Sequence, residues 1–143
     1  MRAVPEAPML QGLFSGFAAQ LGLSLREYQQ SQTVIAITVA PHHLNQAGNL
    51  HGGVIASIAD TAMGMSGTWH SDPAQWRLAL TLSLNINYMA STPPDTEVRA
   101  VARTRGGGAK IFMASCDLLD ADDRLLASAE GVFKRGRLRN DRR

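Results

Sequence analysis

The chain has 143 residues, 45% of them hydrophobic and 18% charged, with a single cysteine. That is enough for one domain with a real core, and it excludes a disordered chain, an intrachain disulfide and a cysteine-based metal site. The net charge of +2 is concentrated at one end: the last ten residues hold six basic groups and one acid, leaving eight basic groups against eleven acids in the rest. The expected organisation is a single domain over residues 1–133 followed by a basic tail over 134–143. The tail lacks aromatics and reads as a solvated run rather than a nucleic-acid surface, and its first residues, Lys134 and Arg135, are candidates for meeting phosphates.

Residues 9–21 place Leu10, Leu13, Phe14, Phe17 and Leu21 on one helical stripe, with Pro8 before it and Gly22 after it. Residues 23–28 and 33–39 read as a hairpin. His42 and His43 follow in a loop with no ligand-type residues at metal spacing, so a metal is not expected there and both rings are expected in solvent.

Residues 45–67 are the most informative stretch. After His51-Gly52-Gly53 comes an apolar run, Val54, Ile55, Ile58, Ala59, Ala62, Met63 and Met65, that predicts a buried helix. Asp60 stands in its middle with no Lys, Arg or His within five residues on either side. A carboxylate there needs a partner or a function. His51 and Gly52 fall at the helix N-terminus, where free N–H groups favour negative charge, including a developing oxyanion. Asp60 lies eight residues later, ~12 Å along the axis. One small reacting group cannot touch both, so a joint role requires a second copy of the chain with its helix antiparallel to the first.

Residues 77–89 then alternate, with Leu82, Leu84, Ile86 and Tyr88 on one face and Thr81, Ser83, Asn85 and Asn87 on the other. Residues 96–105 alternate Val98, Ala100, Ala102 and Thr104 against Glu97, Arg99, Arg103 and Arg105. A turn at Gly106-Gly107-Gly108 leads to a strand over 110–119, with Phe112, Ala114, Cys116 and Leu118 on one face, and a last strand over 125–134. Cys116 reads as a buried, inert thiol. One helix followed by four hairpin-connected strands excludes a doubly wound α/β fold and predicts an α+β fold with a curved antiparallel sheet wrapped around the helix. Arg103, Arg105, Gly107, Gly108 and Lys110 combine turn N–H groups with cations, a phosphate-binding chemistry, without the order of a P-loop.

The pattern Asn45-x5-His51-Gly52-Gly53-x6-Asp60, followed by the strand TLSLNINYM and a glycine-rich hairpin with basic flanks, resembles the hotdog-fold acyl-CoA thioesterases, and within them the PaaI-like branch of phenylacetic acid degradation. The resemblance spans roughly residues 44–134. It implies a hotdog fold and hydrolysis of an acyl-CoA, aryl, arylacetyl or medium-chain, to a carboxylic acid and free CoA, with no cofactor, since coenzyme A is part of the substrate. By the same resemblance Asp60 matches the catalytic carboxylate, a general base or nucleophile, and Gly52 the N–H that polarises the carbonyl. Asn45 matches the amide that positions carbonyl or water, and Thr81 a hydroxyl that holds the water. His51 matches the motif histidine, which orients the loop. Gly53, Asn87, Arg103, Arg105, Gly107, Gly108 and Lys110 are the candidates for binding coenzyme A, and Leu13, Phe14 and Phe17 for the floor of an acyl pocket. A homodimer with composite sites is expected, pairing further into a tetramer. A hotdog dehydratase or hydratase, which needs a differently spaced His–carboxylate pair, and a non-catalytic acyl-CoA-binding protein are the alternatives. No secretory signal or membrane span is apparent, and a cytoplasmic protein is expected.

Overall fold

A computed structural model describes residues 12–141. Its elements in chain order are α1 (Gly16–Leu21), β1 (Ser24–Gln29), β2 (Gln32–Thr38), α2 (Gly52–Ser66), β3 (Arg77–Tyr88), β4 (Glu97–Gly107), β5 (Ile111–Leu119) and β6 (Leu125–Leu138). The six strands form one antiparallel sheet in the order β1-β2-β4-β5-β6-β3. The sheet packs one face on α2, and this is the hotdog arrangement.

The alternation of the strands decides which side chains reach the helix. Val98, Ala100 and Ala102 of β4, and Phe112, Ala114, Cys116 and Leu118 of β5, are all buried. They meet Ile55, Ile58, Ala59, Ala62 and Met63 of α2, with Ile35 and Ile37 of β2 completing the core. Small residues on β4 let the helix approach the sheet, while Phe112 and Phe133, their centroids 5.5 Å apart, lie against Gly67 and Gly64 at the C-terminal end of α2. Burial pushes the Cys116 thiol well above its usual pKa, with the Asp117 charge adding to the effect, so the thiol is held protonated and unreactive. Gly107, at φ +126, turns β4 into β5 where a Cβ would lie 2.4 Å from the Ile111 carbonyl oxygen, so no other residue fits.

Four sequence-based expectations need correction. The helix predicted from residue 9 is shorter: α1 starts at Gly16, Leu13 and Phe14 precede it, and residues 9–11 lie outside the described residues. His43 is buried rather than solvated. Its Nδ1 accepts from the Ala40 N–H at 2.9 Å and its Nε2 lies 2.8 Å from the Leu21 carbonyl, tying the end of α1 to the loop before α2. The last strand does not stop at residue 134 but continues to Leu138, because Lys134 and Arg135 pair with Leu80 and Ala79 of β3. Finally, α2 is not buried all round. Gly53, Ala56, Ser57, Asp60 and Thr61 form a stripe that is exposed or half-buried, and it carries the polar residues.

Candidate active site

The start of α2 is held by its own side chains. His51 is the N-cap, and its Nδ1 accepts from the Gly53 N–H at 2.7 Å. The N–H groups of Val54 and Ile55 donate to the His51 carbonyl at 2.9 and 3.2 Å. The four N–H groups that open this helix without an acceptor four residues back are those of His51, Gly52, Gly53 and Val54. His51 donates to the His43 carbonyl at 2.8 Å, Gly53 and Val54 are taken as described, and only the N–H of Gly52 has no acceptor among the described residues. The Gly52–Gly53 peptide is gripped at both ends, since the Tyr88 hydroxyl donates to the Gly52 carbonyl at 2.8 Å. The Tyr88 ring lies so close that a Cβ on Gly52 would stand 3.3 Å from it. Leu44, Asn45, Gln46, Ala47 and His51 line an open depression here. The Asn45 Oδ1 accepts from the N–H groups of Ala47 and Asn49 at 2.9 and 3.1 Å, which shapes the loop and leaves the amide NH₂ as the free end of that side chain.

Asp60 sits two turns further on, ~12 Å from Gly52 along the axis. The Thr81 hydroxyl donates to its Oδ1 at 2.6 Å, a short charge-assisted bond, and Oδ2 has no partner among the described residues. Both residues line a cavity of about 270 Å³ between α2, β3 and the segment around α1, with Leu13, Phe14, Met65 and Ala79 in its wall. A carboxylate anchored through one oxygen and open at the other, beside a cavity with apolar walls, has the chemistry a general base or nucleophile requires.

A β-bulge makes this constellation. Strict alternation along β3 puts Thr81 and Tyr88 on opposite faces of the sheet. The register with β6 steps from Thr81–Phe133 to Ser83–Val132, so Leu82 is an extra residue. The extra residue reverses the facing, and Thr81 before it and Tyr88 after it both reach α2. The two-faced reading of residues 77–89 fails at this point, and nothing in the local pattern announces the bulge.

The structure brings Asp60 to Thr81, and Asn45, His51, Gly52 and Gly53 to one another, but not the two groups together within one chain. The residues proposed for coenzyme A are elsewhere. Ser83, Asn85, Arg103, Arg105, Asp117 and Glu130 line a groove on the side of the sheet away from the helix, and Asn87, in step with Ser83 and Asn85, shares that face. Arg103 Nε donates to Gln32 Oε1 at 3.3 Å. Gly107, Gly108 and exposed Lys110 form the β4–β5 turn near the C-terminal end of α2. Arg135 is already used there: its guanidinium donates to the carbonyls of Gly67 (2.6 Å) and Gly108 (2.7 Å) and lies over the Phe112 ring. Phe17, expected in the pocket floor, is 65% exposed and does not line the cavity, to which Leu13 and Phe14 contribute. Sequence reasoning missed Leu78, Ala79 and Arg139 as cavity residues. Among the described residues no cluster of three or more His, Cys, Asp or Glu side chains is arranged to hold a metal, and no helix is long and apolar enough to cross a membrane.

The fold is that of the hotdog proteins, and comparison with known proteins places the chain among hydrolases of that fold. The chain belongs to the thioesterase superfamily, whose profile matches residues 47–127. A relative from Pseudomonas aeruginosa, named as a candidate esterase, is 32% identical over 108 residues, covering 76% of this chain and 78% of its own. A candidate esterase from Archaeoglobus fulgidus is 27% identical over 80% of this chain and 71% of its own. In structure the chain is similar to the E. coli PaaI protein of the phenylacetic acid degradation operon, at a TM-score of 0.75 and 21% identity over 85% of this chain and 84% of that one. It is similar also to zebrafish thioesterase superfamily member 2, at a TM-score of 0.73 and 21% identity over 90% and 91%. At these identities the structural likeness establishes the fold.

Proposed function

We propose that the protein hydrolyses the thioester of an acyl-CoA, with Asp60 as general base or nucleophile and the Gly52 N–H of a second copy polarising the carbonyl. The observation that carries this reading is the pairing of unmet valences on one helix: a carboxylate oxygen open beside a cavity, and a single helix-start N–H without an acceptor. Each is what the other needs for attack on a carbonyl, and ~12 Å of rigid helix separates them in one chain. An antiparallel partner helix removes that separation. In the base route Asp60 takes a proton from water, the water oxygen adds to the thioester carbon, and the oxyanion rests on Gly52 N–H. Collapse then expels the CoA thiolate, which takes up a proton. A thioester is electrophilic enough that a positioned carboxylate and one donor can suffice.

The exposed β3 edge supports a second copy. It is twelve residues long, unpaired on one side among the described residues, and carries Leu80 and Leu82 at 59% and 54% exposure. Long apolar edges call for a cover, and pairing two of them across a two-fold supplies one. In the same reading the β4–β5 turn, Gly107, Gly108 and Lys110, with Arg103 and Arg105, meets coenzyme A phosphates, and dimers pair further through the outer face of the sheet, where Met113 is exposed. Light scattering distinguishes two copies from four.

The test is thiol release across an acyl-CoA panel of arylacetyl, aroyl and straight-chain thioesters, with Asp60→Asn as control. Release that survives in the control removes Asp60 from the mechanism. Shared sites are tested by co-expressing Asp60→Asn with Gly52→Ala. If the site is composite, mixed dimers carry one intact site and regain activity that neither variant has alone; no recovery places both groups in one chain's site.

A further inference from the structure

The cavity beside Asp60 contains a charge that apolar acyl groups do not explain. Its wall includes Leu13, Phe14, Met65, Leu78 and Ala79, and also Arg139, which is its one cationic residue. Arg139 follows β6, and its backbone N–H donates to the Trp76 carbonyl at 2.7 Å, which pins it beside the loop leading into β3. The Arg139 Nε is shielded from solvent and meets no acceptor among the described residues. None of the ion pairs among the described residues involves it. A guanidinium presents five donors in a planar fork, and burying a charged donor without an acceptor is costly until an anion meets it.

The Tyr28 hydroxyl is the neighbour of Arg139. That hydroxyl makes a 3.0 Å hydrogen bond with Thr68 Oγ1. Burial pushes it above its usual pKa, while the Thr68 hydrogen bond, the positive charge of Arg139 and a hydrogen bond with that guanidinium pull the other way. The guanidinium thus has one neutral partner in Tyr28 and no anionic one among the described residues. Thr68 comes after Ser66, the last residue of α2, and Asp60 is six residues before Ser66. On α2 the cavity's lining runs from Asp60 to Met65, ~7.5 Å along the axis toward the helix C-terminus, and the pairing of Leu138 with Arg77 sets Arg139 at the end away from Thr81.

We propose that Arg139 is a carboxylate-binding subsite at the end of the acyl cavity remote from Asp60, and that the preferred substrates carry a carboxylate at the far end of the acyl group. This rests on the thioesterase reading and deepens it. With the thioester carbon at Asp60 and a carboxylate at Arg139, carbon–carbon bonds of ~1.5 Å in an extended zigzag give an acyl chain of roughly eight carbons. The apolar residues cover the methylenes, and the guanidinium fork takes the carboxylate in a two-pronged bond. A half-buried charge with no anionic partner among the described residues discriminates against a chain that ends in a methyl group, because that chain leaves the charge unmet.

Suberyl-CoA and octanoyl-CoA, equal in chain length, test this. The kcat/KM for thiol release from suberyl-CoA is expected to exceed that from octanoyl-CoA by at least tenfold. Arg139→Gln is expected to erase the preference, mostly by raising KM for suberyl-CoA, and Arg139→Lys to restore part of it, which a merely structural role would not do. Calorimetric titration of both thioesters into Asp60→Asn protein, with and without Arg139→Gln, reads the subsite independently of turnover. An equal or reversed preference in the wild type, or a preference that survives Arg139→Gln, overturns the subsite. If no thioester in any series releases thiol, the hydrolytic reading falls and the titrations still decide the subsite.

Discussion

The first turn of α2 and its middle stand on the same rigid rod and are built on opposite plans. At the first turn nearly everything is satisfied. Three of four N–H groups have acceptors, His51 and Tyr88 hold one peptide from both ends, and Asn45 braces the approach. What is left over is one backbone donor, defined by subtraction. In the middle of the helix little is satisfied: Asp60 has one partner, a single hydroxyl from a bulged edge strand, and an open cavity beside it. The difference teaches that a donor to an oxyanion has to be fixed and can be made from backbone, whereas an attacking or proton-accepting group has to keep a lone pair uncommitted.

Substitutions break that comparison in graded steps. Asp60→Asn removes the charge while keeping size and the bond from Thr81, so kcat should drop by roughly 10³-fold or more, the upper range for loss of a general base, with the melting temperature little changed. Gly52→Ala attacks the other region through its crowding: the new Cβ stands 3.3 Å from the Tyr88 ring, so the helix start must shift and the free N–H moves with it. Loss of one such donor costs ~10²–10³ in kcat, and steady-state kinetics should place this variant just above Asp60→Asn. Thr81→Val frees Asp60 Oδ1 without touching the helix start; about a tenfold lower kcat at constant KM is expected, since a neutral partner of a charged group is worth ~1.5–3 kcal/mol and water replaces part of it. His51→Ala sharpens the contrast most finely. It removes the N-cap, costing ~1 kcal/mol, and should lower the melting temperature by about 3–5 °C in calorimetry. If His51 instead moved protons, its loss would rival that of Asp60, and the assignment of His51 to structure would be wrong.

Much of this was legible in the chain. The apolar spacing of residues 54–65 defines the helix, and period-two alternation in residues 97–105 and 111–119 defines the central strands and their buried faces, because periodicity is a direct consequence of one-sided burial. Asp60 stood out for the same reason, as a charge in an apolar run. The misreadings share a cause as well. His43 looked solvated because its acceptor, the Leu21 carbonyl, is 22 residues away. Arg135 looked free because the carbonyls it holds come from two distant turns. Asn87 looked as if it shared a face with Thr81, yet lies on the side of the sheet turned away from the helix, since the bulge at Leu82 reverses the facing between them.

The sequence alone determined the elements, the buried faces of the inner strands and the identity of the lone helical carboxylate, all of which follow from local periodicity and the cost of burying charge. Only the tertiary structure decided that Leu82 is a bulge, that Thr81 and Tyr88 therefore share a face, and that Arg139 closes a cavity opened by Asp60. Those depend on register between strands some fifty residues apart in the chain, and register is fixed by the packing of whole faces rather than by any residue's own preference.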